Sequence, residues 1–336
     1  MKSNMKFNLI FIGLLFVFSP IFIINISCIN YNSNKSLDYR NDFTIDKGNL
    51  KLSDVSGKIY IDNNWTEAKS AGICTGSGTY SDPYVIKNLE INGGGSGNCI
   101  LIKNSDVFCR IEKCSLYNAG TGTGFLGIML FNVSNAQLED NFCISNSVGI
   151  GLSNSHNNTI SGNTVNDNSM EGIFLGDSNN NSIIGNIANS NDFYGIVLSR
   201  SHNNTVKQNL IKNKIFGLYI MNFTSHANSI FLNCFINNTN NGYDEGSNYW
   251  DNGIKGNYWS DYTGSDSNND GIGDTPYIID HYNNKDNFPL MSCPIPTQDG
   301  EGFPLELITL ISVISGGALI GVEALLLIRR RRKIVE

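Results

Sequence analysis

A glycine followed by three apolar or small residues recurs in the middle of the chain every 22 or 23 residues. An asparagine that stands three residues after an apolar position repeats in step with it. Apolar residues alternate within each copy, which is typical of strands, and helical repeats need at least about 33 residues. The repeat therefore predicts an all-β fold, a right-handed, single-stranded parallel β-helix of about seven coils. The five glycines are Gly127, Gly149, Gly172, Gly195 and Gly217.

The repeating asparagines predict a structural ladder inside the β-helix. Equivalent residues of stacked coils lie about 4.8 Å apart, so each side-chain amide can bond to the coils above and below, as in cross-β stacks. We therefore expect these side chains to satisfy backbone groups at a tight inward turn. The members of the ladder are Asn141, Asn163, Asn186, Asn209 and Asn233.

The repeats also predict the domain organisation. We place the β-helix at residues 83–238, after a linker and N-terminal cap at 29–82 and before a C-terminal cap at 239–290. Caps are expected because the end of a solenoid exposes unpaired strand edges. A linker at 291–306 then leads to the C-terminal segment.

The two ends of the chain predict a single-pass protein of the cell membrane with its bulk outside. Residues 1–28 place lysines before an apolar run, which indicates a signal peptide or an uncleaved N-terminal anchor. Residues 307–328 contain a single charge, Glu323, and are long enough to cross a bilayer as a helix. The basic tail at 329–336 is expected to stay in the cytoplasm.

The C-terminal end has a second interpretation. Gly302, Phe303 and Pro304, followed by the apolar segment and the arginines, resemble the sorting signals of archaeal surface proteins, in which the tail is removed and replaced by lipid. Glu301 departs from the proline usual in such signals. On either interpretation the protein ends at a membrane.

The charge of the chain argues against nucleic acid as a partner. Residues 29–304 carry 16 basic and 27 acidic side chains, a net charge of −11. Nucleic-acid binding needs a basic patch, whereas an acidic surface suits solvent exposure and the recruitment of hard cations.

Two segments that flank the repeats resemble a known family. The stretches from Gly78 to Ile86 and from Gly256 to Tyr277 look like those that bracket the β-helix in NosD-like and carbohydrate-binding/sugar-hydrolase proteins, especially archaeal surface members. The repeats resemble the same family over most of residues 59–290. The resemblance implies the parallel β-helix fold, but a fold does not carry a function.

The NosD resemblance raises copper as a cofactor, and the residues argue against it. Copper sites need clustered histidine, methionine or cysteine side chains. His156 and His202 share a column of the repeats but stand two coils apart, with neither Met nor Cys close to them in sequence. We interpret them as turn residues that replace asparagine.

A loop in the C-terminal cap predicts a structural calcium site. Oxygen ligands at alternate positions, a glycine at the sixth and a backbone carbonyl at the seventh follow an EF-hand-type loop. Tyr277 stands where such loops carry a bidentate glutamate, which leaves Asp261 or Asp280 to complete the shell. The other interpretation is a plain turn with Asx hydrogen bonds. The expected ligands are Asp266, Asn268, Asp270, the carbonyl of Ile272, and Asp274.

The third position of each glycine-led copy predicts a binding face. Positions two and four are expected to face inward, so position three faces solvent with large apolar side chains that suit sugar rings or a protein partner. The other interpretation is that a loop or the cap covers them. The expected face consists of Met129, Phe174, Val197 and Tyr219, with Phe231 from the neighbouring strand.

These observations lead to one function and two alternatives. The leading interpretation is an extracellular β-helix that binds glycans or cell-envelope partners. The first alternative is a polysaccharide lyase or glycoside hydrolase, and a hydrolase needs two carboxyl groups about 5–9.5 Å apart. The best candidate, Asp177, stands beside Arg200 of the next coil, which is the arrangement of an ordinary ion pair. The second alternative is a purely structural envelope protein.

The cysteines do not form an obvious disulfide framework, although disulfides are allowed outside the cell. Cys143 and Cys234 are expected to face inward as small buried apolar residues, too far apart to bridge. The conceivable pairs are Cys74–Cys99 and Cys109–Cys114.

Several Asn-x-Ser/Thr triplets are candidate glycosylation sites, and in an asparagine-rich repeat most of them arise by chance. Those in ladder turns are expected to be closed to modification. Asn64 and Asn237 are the preferred sites.

Overall fold

Three parallel β-sheets wind around an apolar interior in the computed structural model, which describes residues 55–120, 122, 124–213, 215–279 and 284–295. Strands of successive coils pair in parallel within each sheet. The predicted right-handed parallel β-helix is confirmed. It has about eight coils, since strands of its sheets precede residue 83 and follow residue 238.

A complete coil contributes one strand to each sheet, and incomplete coils at the ends leave nine, eight and seven described strands in sheets I, II and III. Sheet I contains β1 (Val55–Ser56), β4 (Glu90–Asn92), β7 (Ser115–Tyr117), β10 (Phe142–Ile144), β13 (Thr164–Asn166), β16 (Ile187–Asn189), β19 (Leu210–Lys212), β22 (Cys234–Phe235) and β24 (Tyr258–Trp259). Sheet II contains β2 (Ile59–Asp62), β5 (Ile100–Ser105), β8 (Leu126–Val133), β11 (Val148–Ser153), β14 (Glu171–Gly176), β17 (Tyr194–Ser199), β20 (Phe216–Met221) and β23 (Asn240–Asp244). Sheet III contains β3 (Tyr84–Lys87), β6 (Cys109–Glu112), β9 (Ala136–Glu139), β12 (Thr159–Ser161), β15 (Ser182–Ile184), β18 (Thr205–Lys207) and β21 (Ser229–Phe231).

Columns of apolar side chains fill the interior, because the parallel register stacks equivalent residues of successive coils. In sheet II, Ile150 lies between Ile128 and Ile173, and all three side chains are fully buried. Burial of such aliphatic surface contributes about 25 cal/mol per Å². A second inward column of the same sheet consists of Leu130, Leu152, Leu175, Leu198 and Ile220.

The glycine that opens each copy is left out of the strand pairing in successive coils, and we call this shared irregularity the bulge. Val148 pairs in register with Glu171, and the next pair is Ile150 with Ile173, so the glycines between them are not paired. A Cβ atom added at Gly149 would lie 2.6 Å from the carbonyl oxygen of Gly172 in the next coil, so only glycine allows this approach. The bulge turns the residue before the glycine to the outside of the solenoid.

Asparagine ladders join the coils inside the turns. The side-chain nitrogen of Asn163 donates to Oδ1 of Asn186 at 3.0 Å and to the carbonyl oxygen of Leu138 at 2.8 Å. The backbone nitrogen of Asn163 donates to the same Oδ1 at 2.9 Å. This column contains the five asparagines singled out in the sequence and one more: Asn141, Asn163, Asn186, Asn209, Asn233 and Asn257.

Two further asparagine ladders and a serine ladder, which the sequence pattern did not lead us to expect, lie at the other turns. Their regular spacing, close to 23 residues, is the signal that could have revealed them. One asparagine ladder consists of Asn146, Asn168, Asn191, Asn213 and Asn238. The other consists of Asn158, Asn181, Asn204, Asn228 and Asn248. The serine ladder consists of Ser155, Ser178, Ser201 and Ser225.

A short helix, α1 (Trp65–Ser70), follows the first strand of sheet II. Trp65 is buried and stacks on Tyr84 with ring centroids 5.0 Å apart. Its indole nitrogen donates to Oγ of Ser105 at 2.8 Å. The helix thereby adds apolar cover to the first coils, as a solenoid end requires.

A stack of aromatic rings closes the interior at the C-terminal end. Trp259 lies between Phe235 and Tyr277, with ring centroids 4.4 and 4.1 Å away. Its indole nitrogen donates at 2.9 Å to the buried carboxylate of Asp286, which also accepts the backbone N–H of Asn257 at 2.7 Å. Burial raises the pKa of Asp286 to about 6. Asp286 lies in β26 (Lys285–Asp286), which pairs antiparallel with β25 (Tyr277–Ile278).

A disulfide joins Cys234 to Cys293, so the interpretation of Cys234 as a free inward residue is wrong. Cys143 follows its ladder asparagine by two residues and lies in the interior, whereas Cys234 follows Asn233 by one. Side chains alternate along a strand, so Cys234 faces outward on sheet I. The conceivable disulfide pairs are also wrong, because the described free cysteines are Cys74, Cys99, Cys109, Cys114 and Cys143.

Several predicted segments lie outside the described residues. These are the signal peptide or anchor at 1–28, the apolar segment at 307–328, the basic tail at 329–336 and the candidate calcium ligand Asp280. Within the described ranges, no helix has the length and apolar character needed to span a bilayer.

Candidate functional site

The outer surface of sheet II carries two adjacent columns of large side chains, and we call this surface the sheet II face. The first column occupies the third position of each copy. Its members are Leu101, Met129, Gly151, Phe174, Val197, Tyr219 and Tyr243. The second column precedes the glycine of each copy and faces outward because of the bulge. Its members are Leu126, Val148, Glu171, Tyr194 and Phe216.

The first half of the sheet II face is aliphatic and closely packed. Leu126, Met129 and Val148 form a buried cluster of their own outside the main core. A Cβ atom added at Gly151 would lie 2.2 Å from Cδ2 of Leu126, so Leu126 lies over that position. Met129 is 8% exposed, and Val197, which lies further along the face in the same strand as Tyr194, is 1% exposed. The expectation that these two side chains face solvent is therefore wrong.

The second half of the face is aromatic. Tyr194 stacks on Phe216 with ring centroids 5.3 Å apart, and Tyr219 stacks on Tyr243 at 4.7 Å. Edge-to-face contacts of 5.3 and 5.1 Å join Tyr219 to Tyr194 and Phe216. All four rings are half-buried and therefore keep accessible surface. We call these four residues the aromatic patch.

The residues expected to form the binding face do not all share one surface. Phe174 and Tyr219 are half-buried on the sheet II face. Phe231 lies instead on the outside of sheet III, where it pairs in register with Lys207. Tyr194, Phe216 and Tyr243 extend the face beyond the sequence prediction.

Two carboxyl groups border the aromatic patch. Glu245 accepts hydrogen bonds from the hydroxyl of Tyr219 at 2.9 Å and from the backbone nitrogen of Asn222 at 2.7 Å. Glu171 is 7% exposed and pairs in register with Tyr194. Burial, followed by the charges of Glu171 and Glu245, raises the pKa of Tyr194. Burial also raises the pKa of Glu171 to about 7.

Glu171 makes the stability of the protein depend on pH. Its pKa in the folded protein, about 7, exceeds the ordinary value of 4.5, so folding favours the protonated carboxyl group. The free energy of unfolding therefore falls as the pH rises from 4.5 to about 7. We expect Glu171→Gln to be more stable than the wild type by about 3 kcal/mol at about pH 8, with little difference at about pH 4.5. Urea unfolding at the two pH values measures this difference in stability, and the substitution Asp106→Asn at an exposed residue is the control. An equal difference between variant and wild type at both pH values would contradict the prediction.

A row of turn residues borders the sheet II face where its strands end, and we call it the polar border. The side-chain nitrogen of Asn104 donates to Asp62 at 2.7 Å, and that of Asn132 donates to Asn104 at 2.9 Å. A depression of about 310 Å³ lies beside them, with Asp106 and His156 in its lining. The members have left-handed backbone conformations that suit asparagine: Asn63, Asn104, Asn132, Asn154, Asp177, Arg200 and Asn222.

Asp177 and Arg200 form an ion pair within the polar border. The guanidinium donates to both carboxylate oxygens, at 2.7 and 2.6 Å. The side chains are 39% and 43% exposed, so the pair contributes little to stability. Both charges are engaged with each other, as the ion-pair interpretation of the sequence predicts.

Hydrogen bonds within the loop hold the segment expected to bind calcium. Asp266 accepts the backbone N–H groups of Asp270 at 3.1 Å and Gly271 at 2.9 Å. Asp274 accepts the hydroxyl of Ser267 at 2.7 Å, and hydrogen bonds from Ser267 and Ser265 lower the pKa of Asp274. In the part of the chain that the structure describes, no three His, Cys, Asp or Glu side chains converge as metal ligands. Calcium binding stays a prediction for Asp266, Asn268, Asp270, Ile272 and Asp274.

The two preferred glycosylation sites are both exposed. Asn64 precedes α1, and its side-chain oxygen accepts the backbone N–H of Asp62 at 2.9 Å. Asn237 lies in the turn after β22. Glycosylation at either residue stays a prediction.

Comparison with protein families identifies a family for this chain. The family model of NosD, described as a periplasmic copper-binding protein, matches residues 77–264, more than half of the chain. This chain belongs to the NosD family. The resemblance inferred from the repeats and their flanking segments is thereby confirmed. A search of curated proteins found no match.

Solved structures resemble the NosD-family chain over part of its length. The periplasmic alginate epimerase AlgG shares 18% identity in one mutant form, with a TM-score of 0.37 over 49% of this chain and 45% of that one. The Dettilon tailspike protein shares 17% identity, with a TM-score of 0.36 over 48% of this chain and 39% of that one. The chain thus spans less than half of either protein, and the likeness concerns the coiled fold alone.

The family name refers to copper, and the described residues do not fit a copper site. His202 stacks on His226 with ring centroids 5.1 Å apart, which does not direct both rings at one point. Nδ1 of His156 accepts the backbone N–H of Asn179 at 3.0 Å. Burial raises the pKa of the Cys99 thiol to about 12, which disfavours the thiolate that a metal needs. The described ranges hold no cluster of three His, Cys, Asp or Glu side chains.

Proposed function

We propose that this NosD-family chain is an extracellular glycan-binding protein that uses the sheet II face. The observation that carries the proposal is the aromatic patch, whose four rings stay half-buried on the outside of the solenoid. The apolar faces of sugar rings pack on aromatic side chains, while sugar hydroxyls need polar partners. The polar border supplies the amide of Asn222 beside the patch, and further amides beside the first four coils of the same sheet. One face therefore offers both kinds of contact.

The positions of the carboxyl groups favour binding over hydrolysis. Glu171 lies in β14 and Glu245 follows β23, three coils further along sheet II. At about 4.8 Å a coil, they are separated by about 14 Å along the solenoid axis alone. The pair of a glycoside hydrolase is separated by about 5–9.5 Å. Asp177 is already held by Arg200.

Three observations support a location outside the cell. The family is described as periplasmic. The disulfide between Cys234 and Cys293 suits an oxidising compartment. The apolar segment at 307–328, with its basic flank, supports attachment to the membrane by the C-terminal end.

Removal of two rings from the aromatic patch tests the proposal. We expect the variant Tyr194→Ala/Tyr243→Ala to bind its glycan at least about tenfold more weakly than the wild type, because it loses two stacking surfaces. A glycan array with the full-length chain identifies the oligosaccharide, and titration calorimetry measures the affinity. Phe231→Ala removes a half-buried outward ring from sheet III and is the matched control.

The controls separate the outcomes. Phe231→Ala should bind as the wild type does, and thermal melting of both variants checks that the coils remain folded. Absence of binding to every glycan of the array would refute the proposal. An equal loss in the Phe231 control and the patch variant would move the binding surface away from sheet II.

A further inference from the structure

Acidic groups border the aromatic patch, and the described strands of its sheet offer no cation beside it. Glu171 lies next to Tyr194 in the second column, and Glu245 bonds to the hydroxyl of Tyr219. Among the described residues of the eight sheet II strands, the sole basic side chain is Lys103. It belongs to the second coil, in β5, whereas the patch begins in the sixth coil, in β17.

The polar border does not supply a free positive charge in its described part either. Arg200 is its one basic member, and its guanidinium already donates to both oxygens of Asp177. The pair is neutral as a whole. Among the charged groups in the described part of sheet II and the polar border, Glu171 and Glu245 are therefore the ones that lie against the patch rings without a cation beside them.

The charge of a glycan decides how it responds to such a field. A polyuronate carries a carboxylate on every sugar, so docking it along the patch brings like charges together and costs affinity. A neutral glycan meets no such repulsion. An amino-sugar glycan brings ammonium groups that pair with carboxylates.

We infer that the sheet II face selects uncharged and amino-sugar glycans and excludes polyuronates, with Glu171 and Glu245 as the residues that determine this specificity. The inference rests on the proposed function and deepens it, because it names the class of ligand. Glu171 pairs in register with Tyr194 and Glu245 accepts the hydroxyl of Tyr219, so both carboxyl groups act at short range on a sugar stacked on these rings.

Three hexasaccharides of equal length test the inference: a neutral β-glucan, a glucosamine oligomer and a polyuronate. Binding to the full-length chain is measured by calorimetry at about pH 8, above the pKa of about 7 of Glu171, so that its carboxyl group is charged. The ionic strength is low, and a chelator is present so that divalent cations do not bridge carboxylates. We expect the polyuronate to bind at least about tenfold more weakly than the other two. In the variant Glu171→Gln/Glu245→Gln the difference in affinity between the polyuronate and the other two hexasaccharides should narrow to about threefold or less. Glu139→Gln, a carboxylate on the outside of sheet III, is the matched control and should keep the full gap.

A second measurement needs no variant. Added salt screens charges, so it should raise the affinity of the wild type for the polyuronate relative to the neutral hexamer. Polyuronate affinity equal to or above that of the neutral hexamer would overturn this inference and leave glycan binding intact. A gap that persists in the double variant would overturn the assignment to Glu171 and Glu245. Absence of binding by all three hexamers and by the glycan array would instead remove the proposed function itself.

Discussion

Asn186→Ala is expected to destabilise the β-helix by about 4 kcal/mol, because it removes four hydrogen bonds from the interior and leaves the backbone N–H of Asn163 without its acceptor. The side-chain nitrogen of Asn186 donates to the carbonyl of Ile160 at 2.9 Å and to Asn209 at 3.0 Å. Its Oδ1 accepts both nitrogens of Asn163, at 2.9 and 3.0 Å. The side chain is fully buried, so water cannot replace these bonds. Urea unfolding of the full-length chain measures the loss.

The same coil provides the matched control. Asn189 lies three residues further along, half-buried on the outside of sheet I. We expect Asn189→Ala to change the free energy of unfolding by no more than about 0.5 kcal/mol. Equal unfolding midpoints for Asn186→Ala and Asn189→Ala would show that the ladder bonds add nothing to stability.

Replacing both members of the disulfide, Cys234→Ser with Cys293→Ser, is expected to cost about 4 kcal/mol in the chain-entropy description, because the bond closes a long loop. The two residues are 59 apart in sequence, and the loop between them contains the whole C-terminal cap. The melting temperature should fall by about 10 °C. Thermal melting by circular dichroism measures the change.

Reductant distinguishes the loss of the bond from the effect of the substitutions. Reduction should lower the melting temperature of the wild type towards that of the double serine variant. It should leave the double variant unchanged. A wild type that melts at the same temperature with and without reductant would contradict a stabilising role for the bond between Cys234 and Cys293.

The repeat period allows the fold to be predicted, because a 22- or 23-residue copy with alternating apolar residues suits one coil of a parallel β-helix. The first asparagine column follows from the same period, since each member stands at a constant distance from an apolar residue. The other two columns keep a similar distance from apolar residues, since Asn168 stands three residues after Val165 and Asn158 two before Ile160. Polar neighbours such as Asn157 recur with the same period, so the period alone does not mark which residue faces inward.

The binding face is harder to predict because strict alternation fails at the bulge. A regular strand would turn Leu126 and Tyr194 inward with the other residues of their parity. The bulge at the following glycine turns both outward, where Leu126 packs against Met129 and Tyr194 joins the aromatic patch. The same sensitivity to a single residue explains Cys234, which differs from Cys143 by one step from its asparagine. The period of the sequence predicts the coil, but whether a side chain faces inward or outward depends on the local backbone geometry.

The principal asparagine column makes the inner coils interchangeable. Each of its middle members donates and accepts the same set of hydrogen bonds. Deletion or duplication of one complete copy would therefore bring identical donors and acceptors together. The two ends are different: the backbone N–H of Cys114 donates to Asn141 at 3.0 Å, and the column finishes on the carboxylate of Asp286, which passes no N–H onward. A relative or a designed variant can therefore differ in length by whole turns of the solenoid, gained or lost between these two fixed termini.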